Sequence, residues 1–455
     1  MFRTLLSLLC LLSMLPAHSQ VKEFLPTQPD DAYLTGLSDK YFRQYKDRIA
    51  QLPSKNKKDL VEVYQHRWEN IKEKFDKKEI YTSKTAQAYL DRMVAAIKKG
   101  NPLLANAELS CYFSRSGIPN AAYIGEGVIL FNMGLFERLD NESEAAFVLC
   151  HEMAHFLLHH SENAIDQYVT TLNSEEVQAE LRQIKRSEYQ KREQVQKLIK
   201  GLTFDSRRHS RDHEAQADSL AVQLMRNTPF ALAGSLSALA LLDVIDVDTL
   251  NTSVCLPAVF NAAEYPFRRK WIARNEGLLG SHAKIKDTAM ADSLKTHPDC
   301  KRRIGWLTQL TRGWAQPSAR RFVVDSAAFT GLQRTFRYET IEYAFVANEY
   351  ARSVFLTLEL LQTMPGDPYL VAQIGKVFNG IYTAQKAHTL GKVVELPSPD
   401  LPTNYNLLLQ FIQNLYLEDI ASINYYYLKK YHPQMDAYLP YRNAYEQSER
   451  LVKPN

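Results

Sequence analysis

An apolar stretch that carries two histidines, Phe147 to His160 with the sequence FVLCHEMAHFLLHH, constrains this chain most strongly. His151 and His155 are four positions apart, so they lie one turn apart on the same face of a helix. Glu152 follows the first histidine and can reach a water bound to a metal that the pair holds. The H-E-x-x-H pattern therefore predicts a metal-binding helix. A core helix with a histidine-rich end is the alternative that the pattern alone leaves open.

A metal site with two histidines needs a third protein ligand, and several glutamates are available. Glu162 lies on the continuation of the same helix, where its carboxylate cannot easily converge on the ion, and Glu175 has no supporting partner. Glu214 is favoured because Asp218 lies four positions later on the same helical face. The Asp218 carboxylate can fix the tautomer of a ligating histidine.

Two strands are predicted ahead of the metal helix, at Glu108–Phe113 and at Tyr123–Phe131. The second strand runs directly toward the helix, and its open edge could pair with an extended peptide. An ordinary core strand is the alternative for the same residues. The candidate substrate-edge residues are Tyr123, Ile124, Gly125, Glu126 and Gly127.

Helical patterns account for most of the remaining chain. Residues Thr82 to Lys99 have apolar side chains at three- and four-residue steps, and Asn141 to Glu144 form a capping-box pattern that starts the metal helix near Glu142. Phe230 to Ile245 is too short and too polar for a membrane span, so a buried helix is predicted. The long polar stretch from Ser174 to Lys200 is predicted to be a solvated helical insertion, with a substrate lid as the alternative. These patterns predict a mainly α fold of the α+β class with a small β-sheet.

The composition of the chain bears on its binding partners and not on any reaction that it could catalyse. The 455 residues include 55 basic and 51 acidic ones, and the resulting net charge of +4 gives no general argument for nucleic acid as a partner. The length is sufficient for two or three domains, each with its own core.

The start of the chain has the pattern of a secretory signal peptide. Arg3 is followed by an apolar run from Leu5 to Leu15 and by Ala17-His18-Ser19, which predicts cleavage before Gln20. A lipid anchor at Cys10 is the alternative, but a leucine precedes this cysteine where a small residue is expected. We therefore expect an exported protein, periplasmic or secreted, with no membrane span in the mature chain. Four cysteines would remain, too few for a disulfide framework in so long a chain, and their pairing is not predicted: Cys111, Cys150, Cys255 and Cys300.

These motifs together resemble the gluzincin metallopeptidases of family forty-eight, which include HtpX and the CAAX prenyl protease, and in particular the soluble, periplasmic BepA-like branch. The resemblance covers roughly residues 105–310. It rests on Asn120-Ala121, Gly127, Ile129, His151–His155, Ser210-Arg211, Glu214, Ala217, Asp218, Thr296-His297-Pro298 and Arg303-Ile304.

The resemblance implies a zincin-type catalytic domain that binds one zinc ion per chain and hydrolyses polypeptides. It implies that His151, His155 and Glu214 hold the zinc, with water in the fourth position, and that Asp218 supports a histidine ligand. Glu152 would act as general base and then as general acid.

A stabiliser for the oxyanion of the reaction is also implied by the family. His297 or Arg303 could supply it, although Thr296-His297-Pro298 equally fits a helix cap. Three departures from the family pattern leave peptide entry open: Glu126 in place of a first glycine, the long polar helix before Arg207, and a further insertion at 261–295.

The predicted organisation is a signal peptide (1–19), an N-terminal helical region (20–104), a catalytic domain (105–317) with a helical insertion near 165–205, and a C-terminal all-α region (318–455). In the last region, Ile374-Gly375 and Phe378 faintly match a tetratricopeptide repeat, and a plain helical bundle is the alternative. The resemblance to the BepA-like branch implies that such repeats would engage substrates or outer-membrane and other envelope assembly proteins.

Two functions from different classes follow. The first is a zinc endopeptidase of the cell envelope that acts on misfolded or partly assembled proteins. The second is a chaperone-like binding protein that keeps a zinc-bound fold and acts through its C-terminal region. Glu152 favours the enzyme, because a binding protein does not need the general base.

Overall fold

The computed structural model of the protein describes residues 24–186, 211–245, 250–273, 300–399 and 401–452. The chain is mainly helical there and has one three-stranded sheet, which confirms the predicted mainly α, α+β fold class. None of the helices in these ranges is long and apolar enough to cross a membrane. The predicted signal peptide, His297 and the residues from 187 to 210 lie outside the described ranges.

Helices surround the sheet and form the whole C-terminal part of the described chain. Those of the first half are α1 (Asp31–Ala50), α2 (Lys57–Asp76), α3 (Lys84–Lys99), α4 (Met133–Phe136), α5 (Glu142–Leu157), α6 (His160–Leu172) and α7 (Glu175–Arg186). The later ones are α8 (described over 211–226), α9 (Ala233–Val244), α10 (Thr252–Phe260), α11 (Cys300–Leu310), α12 (Ser326–Val346), α13 (Tyr350–Thr363), α14 (Pro368–Lys386), α15 (Thr403–Gln413), α16 (Leu417–Lys429), α17 (His432–Met435) and α18 (Leu439–Val452).

The sheet consists of β1 (Ser110–Ser114), β2 (Ala121–Gly125) and β3 (Val128–Asn132). β3 lies in the centre, parallel to β1 and antiparallel to β2, so β2 is an edge strand of this sheet. The prediction of one continuous strand from Tyr123 to Phe131 is wrong, because the chain reverses at Glu126 and Gly127. Both residues have positive φ, 48° and 71°, as the mirror-image turns of two-residue hairpins require. Glu126 and Gly127 therefore belong to the hairpin turn and not to the predicted substrate edge.

Helix α5 lies against the sheet and is buried along nearly its whole length. It packs against α3, α9 and β2, and the apolar side chains of these elements form the first hydrophobic core. α3 and α9 confirm the helices predicted at Thr82–Lys99 and at Phe230–Ile245. At the start of α9, a Cβ on Gly234 would come within 2.6 Å of the Ser143 backbone, so the two helices touch through main chain.

The opposite face of the sheet is covered by α1 and α2. Tyr41 and Trp68 on these helices pack in a second core with Tyr112, Val128 and Leu130 of the strands. The hydroxyls of Tyr41 and Tyr112 are 3.0 Å apart inside this core. The sheet thus lies between α1 and α2 on one face and α5, the helix that carries His151 and His155, on the other.

A third core joins the C-terminal helices, with α14 packed against α13, α16 and α18. The first and third cores each include side chains from both sides of residue 317, and the domain boundary there stays a prediction. Leu256, Phe260 and Trp271 pack in the C-terminal core, whereas Phe329 and Phe336 pack in the first core. The tetratricopeptide match stays a prediction.

Candidate metal centre

Helix α5 begins at Glu142 because polar side chains satisfy its first amides. The Asn141 side chain accepts hydrogen bonds from the N–H groups of Ser143 (3.0 Å) and Glu144 (3.2 Å). The Glu144 carboxylate accepts from the N–H of Asp140 at 2.7 Å, one residue earlier than in a standard capping box. The predicted start of the helix is confirmed.

The same end of α5 is tied to a distant part of the chain by Glu142, which is fully buried. Its carboxylate accepts hydrogen bonds from the N–H groups of Val323, Val324 and Asp325 and from the hydroxyl of Tyr89. Multiple donors of this kind compensate the cost of burying a carboxylate. The helix that carries the histidines therefore has a fixed position in the fold.

Three potential metal ligands converge at the other end of α5. The Nε2 atoms of His151 and His155 are 3.1 Å apart, and each lies 3.4 Å from an oxygen of Glu214, which is on α8. The ligand atoms of the three residues lie within 4.8 Å of one another. Glu162 and Glu175 do not join this cluster; Glu162 instead contacts Arg67 and Tyr123.

Asp218 lies behind His151 and contacts it from the side away from the cluster. Its Oδ1 atom is 3.0 Å from His151 Nδ1, and it is completely buried. A carboxylate in this position holds the imidazole with Nε2 directed toward the metal position. Burial alone would lower the pKa of His151, but contacts with Asp218 and Glu214 outweigh it and raise the pKa to about 10. The cluster thus has an electrostatic preference for a cation.

Arg303, on α11, is buried and contacts two acidic residues of α8, Glu214 and Asp218. Its guanidinium donates two hydrogen bonds to Asp218, at 2.7 and 2.8 Å, and its Nη1 lies 3.1 Å from Glu214. Because this edge of the guanidinium is occupied by carboxylates, Arg303 orients the candidate ligands. Its predicted role in stabilising a substrate oxyanion stays a prediction.

His160 is the partner of the second histidine, and sequence reasoning missed it. His155 Nδ1 is 2.9 Å from His160 Nδ1, and His160 Nε2 is 3.1 Å from the side-chain oxygen of Gln216. The His160 ring also stacks on His213 at a centroid distance of 4.2 Å. Burial, and then the neighbouring histidines, lower the pKa of His160 to about 4 although Gln216 opposes the shift, so the ring is neutral near pH 7. The only signal in the sequence was its position, five residues after His155 and one after His159. His159 has a φ of 53° and lies in the turn between α5 and α6.

Glu152 lies between the cluster and the edge strand. Its Oε2 atom accepts a hydrogen bond from the backbone N–H of Tyr123 in β2 at 2.7 Å. Burial raises the pKa of Glu152, although His151, His155 and the Tyr123 N–H oppose the shift. A buried carboxylate with a raised pKa next to a metal-binding cluster is suited to accept a proton and return it during a reaction.

Of the predicted substrate-edge residues, Tyr123, Ile124 and Gly125 lie in β2, and Tyr123 directly contacts the site. The first part of the predicted polar insertion is helix α7, which the structure describes up to Arg186. The predicted continuation to Lys200 lies outside the described residues. Whether it is a lid stays a prediction.

Comparison with known proteins identifies the family. The model of peptidase family M48 matches residues 84–311, about half of the 455 residues. This range includes His151, Glu152, His155, Glu214 and Arg303 but not α1 and α2. No curated protein matches the chain. The extent of the family match shows that this chain belongs to peptidase family M48.

Proposed function

We propose that this protein is a zinc-dependent endopeptidase of the cell envelope that cleaves unfolded or partly assembled exported polypeptides. Family membership supports the peptidase class. The observation that carries the proposal is the convergence of His151, His155 and Glu214 with Glu152 beside them. The signal-peptide pattern of residues 1–19 supports export.

The donor set fits zinc. Two imidazole nitrogens and one carboxylate are a ligand set of catalytic zinc sites, and the ligands of a tetrahedral zinc with bonds of about 2.0–2.1 Å are separated by about 3.3 Å. The observed separations of 3.1 and 3.4 Å match this value. When bound, zinc supplies Lewis-acid chemistry, which lowers the pKa of a water molecule and polarises the scissile carbonyl.

Glu152 would perform the proton transfers of the reaction. It accepts a proton from the attacking water and then donates it to the leaving amine. Tyr123 holds this carboxylate through its backbone N–H, so the general base and the edge strand are aligned with each other. A polypeptide in extended conformation would lie along β2, whose outer edge faces the same site. His297 remains a candidate for stabilising the oxyanion.

Glu152→Gln tests the proposal directly. We expect this variant to retain one zinc ion per chain and to cleave casein or another unfolded protein at least about 100-fold more slowly, because the general base is lost. Glu214→Gln should lose the metal as well as the activity. Glu175→Gln is the matched control: Glu175 is exposed on α7 and outside the cluster, so this variant should bind zinc and cleave like the wild type.

Two results would contradict the proposal. Wild-type cleavage rates in zinc-loaded Glu152→Gln would exclude Glu152 as the general base. If neither the wild type nor Glu152→Gln cleaves any unfolded substrate, and the two proteins suppress its aggregation equally well, the chaperone-like alternative is correct.

A further inference from the structure

A buried charge cluster connects the N-terminal helices to the edge of the candidate site. Arg67 on α2 donates hydrogen bonds to Glu126 in the hairpin turn and to Glu162 on α6, the latter at 3.2 Å. It also donates to the hydroxyl of Ser161 at 3.3 Å. The arginine side chain is only 10% exposed, and those of the two glutamates are 4% and 11% exposed. One guanidinium thus bridges the turn before β3 and the helix that follows the metal helix.

The local backbone is shaped to admit this arginine. A Cβ on Gly125 would lie 2.7 Å from Arg67 Nε, so a larger residue would displace the guanidinium. Gly125 has a φ of 102°, a backbone conformation that residues other than glycine rarely adopt. The hairpin and the arginine are therefore fitted to each other.

Tyr123 transmits this arrangement to the catalytic glutamate. Its hydroxyl donates to the same Glu162 oxygen that Arg67 contacts, at 3.2 Å, and its ring packs edge-on against Phe156 with centroids 5.6 Å apart. Its backbone N–H donates to Glu152. A continuous series of contacts thus runs from Arg67 through Glu162 and Tyr123 to Glu152.

We propose that Arg67 is a positioning residue for the peptidase reaction: by holding Glu162 and the hairpin, it fixes Tyr123 and so the orientation of Glu152 and the peptide-binding edge. This inference rests on the proposed function. Arg67 lies outside residues 84–311, so the site would depend on a residue that the M48 match does not include. Displacement of a catalytic group by about 1 Å is sufficient to slow a reaction by up to about 100-fold.

Arg67→Lys is the main test because it keeps the charge, but a single ammonium cannot reproduce the fork that contacts both glutamates. For the zinc-loaded full chain, we expect kcat to fall by about tenfold or more with one zinc per chain retained. We also expect faster amide hydrogen exchange over residues 121–127. Arg48→Lys is the matched control: Arg48 lies 3.9 Å from the same Glu126, but its side chain is 42% exposed, and it should change neither quantity.

Two further variants separate positioning from general stability. Tyr123→Phe removes only the hydroxyl bond to Glu162 and should lower kcat in the same direction, even if Arg67→Lys folds poorly. Glu162→Gln keeps an acceptor oxygen for both Arg67 and Tyr123 but removes the negative charge that faces the guanidinium, so it should lower kcat by less than Arg67→Lys does.

The proposal is overturned if Arg67→Lys or Tyr123→Phe lowers the melting temperature but leaves kcat, KM and the exchange of residues 121–127 unchanged. Such a result would show that the cluster only stabilises the fold. If the wild type cleaves no polypeptide, the proposed function fails. The exchange comparison then decides separately whether Arg67 holds this edge.

Discussion

Asp218 is completely buried, and both of its carboxylate oxygens are in contact with neighbouring side chains. One oxygen lies against His151, and Arg303 binds both. Asp218→Asn would weaken the hold on the imidazole and leave Arg303 with a neutral partner. We expect zinc affinity to fall by about 10- to 100-fold, as is typical when the residue behind a histidine ligand is lost.

Competition with a zinc-binding dye measures this change without reference to activity. Asp212→Asn is the control, since Asp212 is an exposed residue of the same helix. Equal zinc affinities of Asp218→Asn and the wild type would show that Asp218 does not support the ligand.

Glu137 predicts a pH dependence of stability that does not involve the metal. Its Oε2 atom is buried and has no hydrogen-bond partner among the described residues. Burial raises the pKa of Glu137 to about 7; Arg138 and Arg337 oppose the shift, and Glu359 adds to it. The folded state therefore holds a proton that the unfolded state has released between about pH 4.5 and 7, so the free energy of unfolding falls as pH rises through this window.

Glu137→Gln mimics the protonated side chain and should be more stable than the wild type at pH 8, by about 1–3 kcal/mol, but not at pH 4.5. Chemical unfolding at both pH values measures the difference. The exposed Glu176→Gln should show no such pattern. A gap of equal size at both pH values would exclude Glu137 as the titrating group.

The sequence predicted those parts of the site that depend on spacing within one helix. His151 and His155 share a face, as do Glu214 and Asp218, because the helical repeat fixes such pairs locally. His160 and Arg67 could not be predicted in the same way. Their contacts depend on the turn at His159 and on the packing of α2 against α6, which no local pattern encodes.

The hairpin between β2 and β3 shows where the prediction of elements failed. The segment from Tyr123 to Phe131 has β-forming residues on both sides of Gly125, Glu126 and Gly127, and the prediction joined the two sides into one strand. Gly125 and Gly127, which flank Glu126, were the signal for a two-residue turn, because that turn requires positive φ. The predicted number of strands was therefore wrong. An edge strand does lie beside α5, and it is β2.

The geometry of this hairpin turn predicts that Gly127→Ala destabilises the fold. Gly127 has a φ of 71°, and a Cβ there would lie 2.1 Å from the carbonyl oxygen of Glu108. The backbone must move, so we expect a loss of about 2–4 kcal/mol in unfolding free energy. Gly331→Ala is the control: in helix α12 its Cβ would meet nothing within 4 Å, and it should stabilise by about 0.5–1 kcal/mol.

Thermal or urea unfolding of the two alanine variants measures both values. If Gly127→Ala were as stable as the wild type, the close approach between the turn and Glu108 would be incorrect.

At the scale of the whole molecule, the cores couple the catalytic part to the C-terminal helices. Phe329 and Phe336 on α12 pack against Phe136 and Phe113 with ring centroids 4.9 and 4.8 Å apart. Conversely, Trp271 packs among the C-terminal helices. A boundary near residue 317 was predicted from the change in local pattern, but contacts between distant segments are not visible in such a pattern.

A chain that ends at residue 317 tests this coupling. It would lack Phe329 and Phe336 from the first core and the three amides that bind Glu142, and it would expose Trp271. A buried carboxylate without its donors and several uncovered aromatic rings destabilise by an amount comparable to the stability of a whole domain, about 5–15 kcal/mol. We therefore expect the shortened protein to aggregate or to lack a cooperative unfolding transition. A chain that ends at Val452 is the control and should unfold like the full protein. A soluble 317-residue chain with cooperative unfolding and one bound zinc would instead show that the catalytic part folds independently.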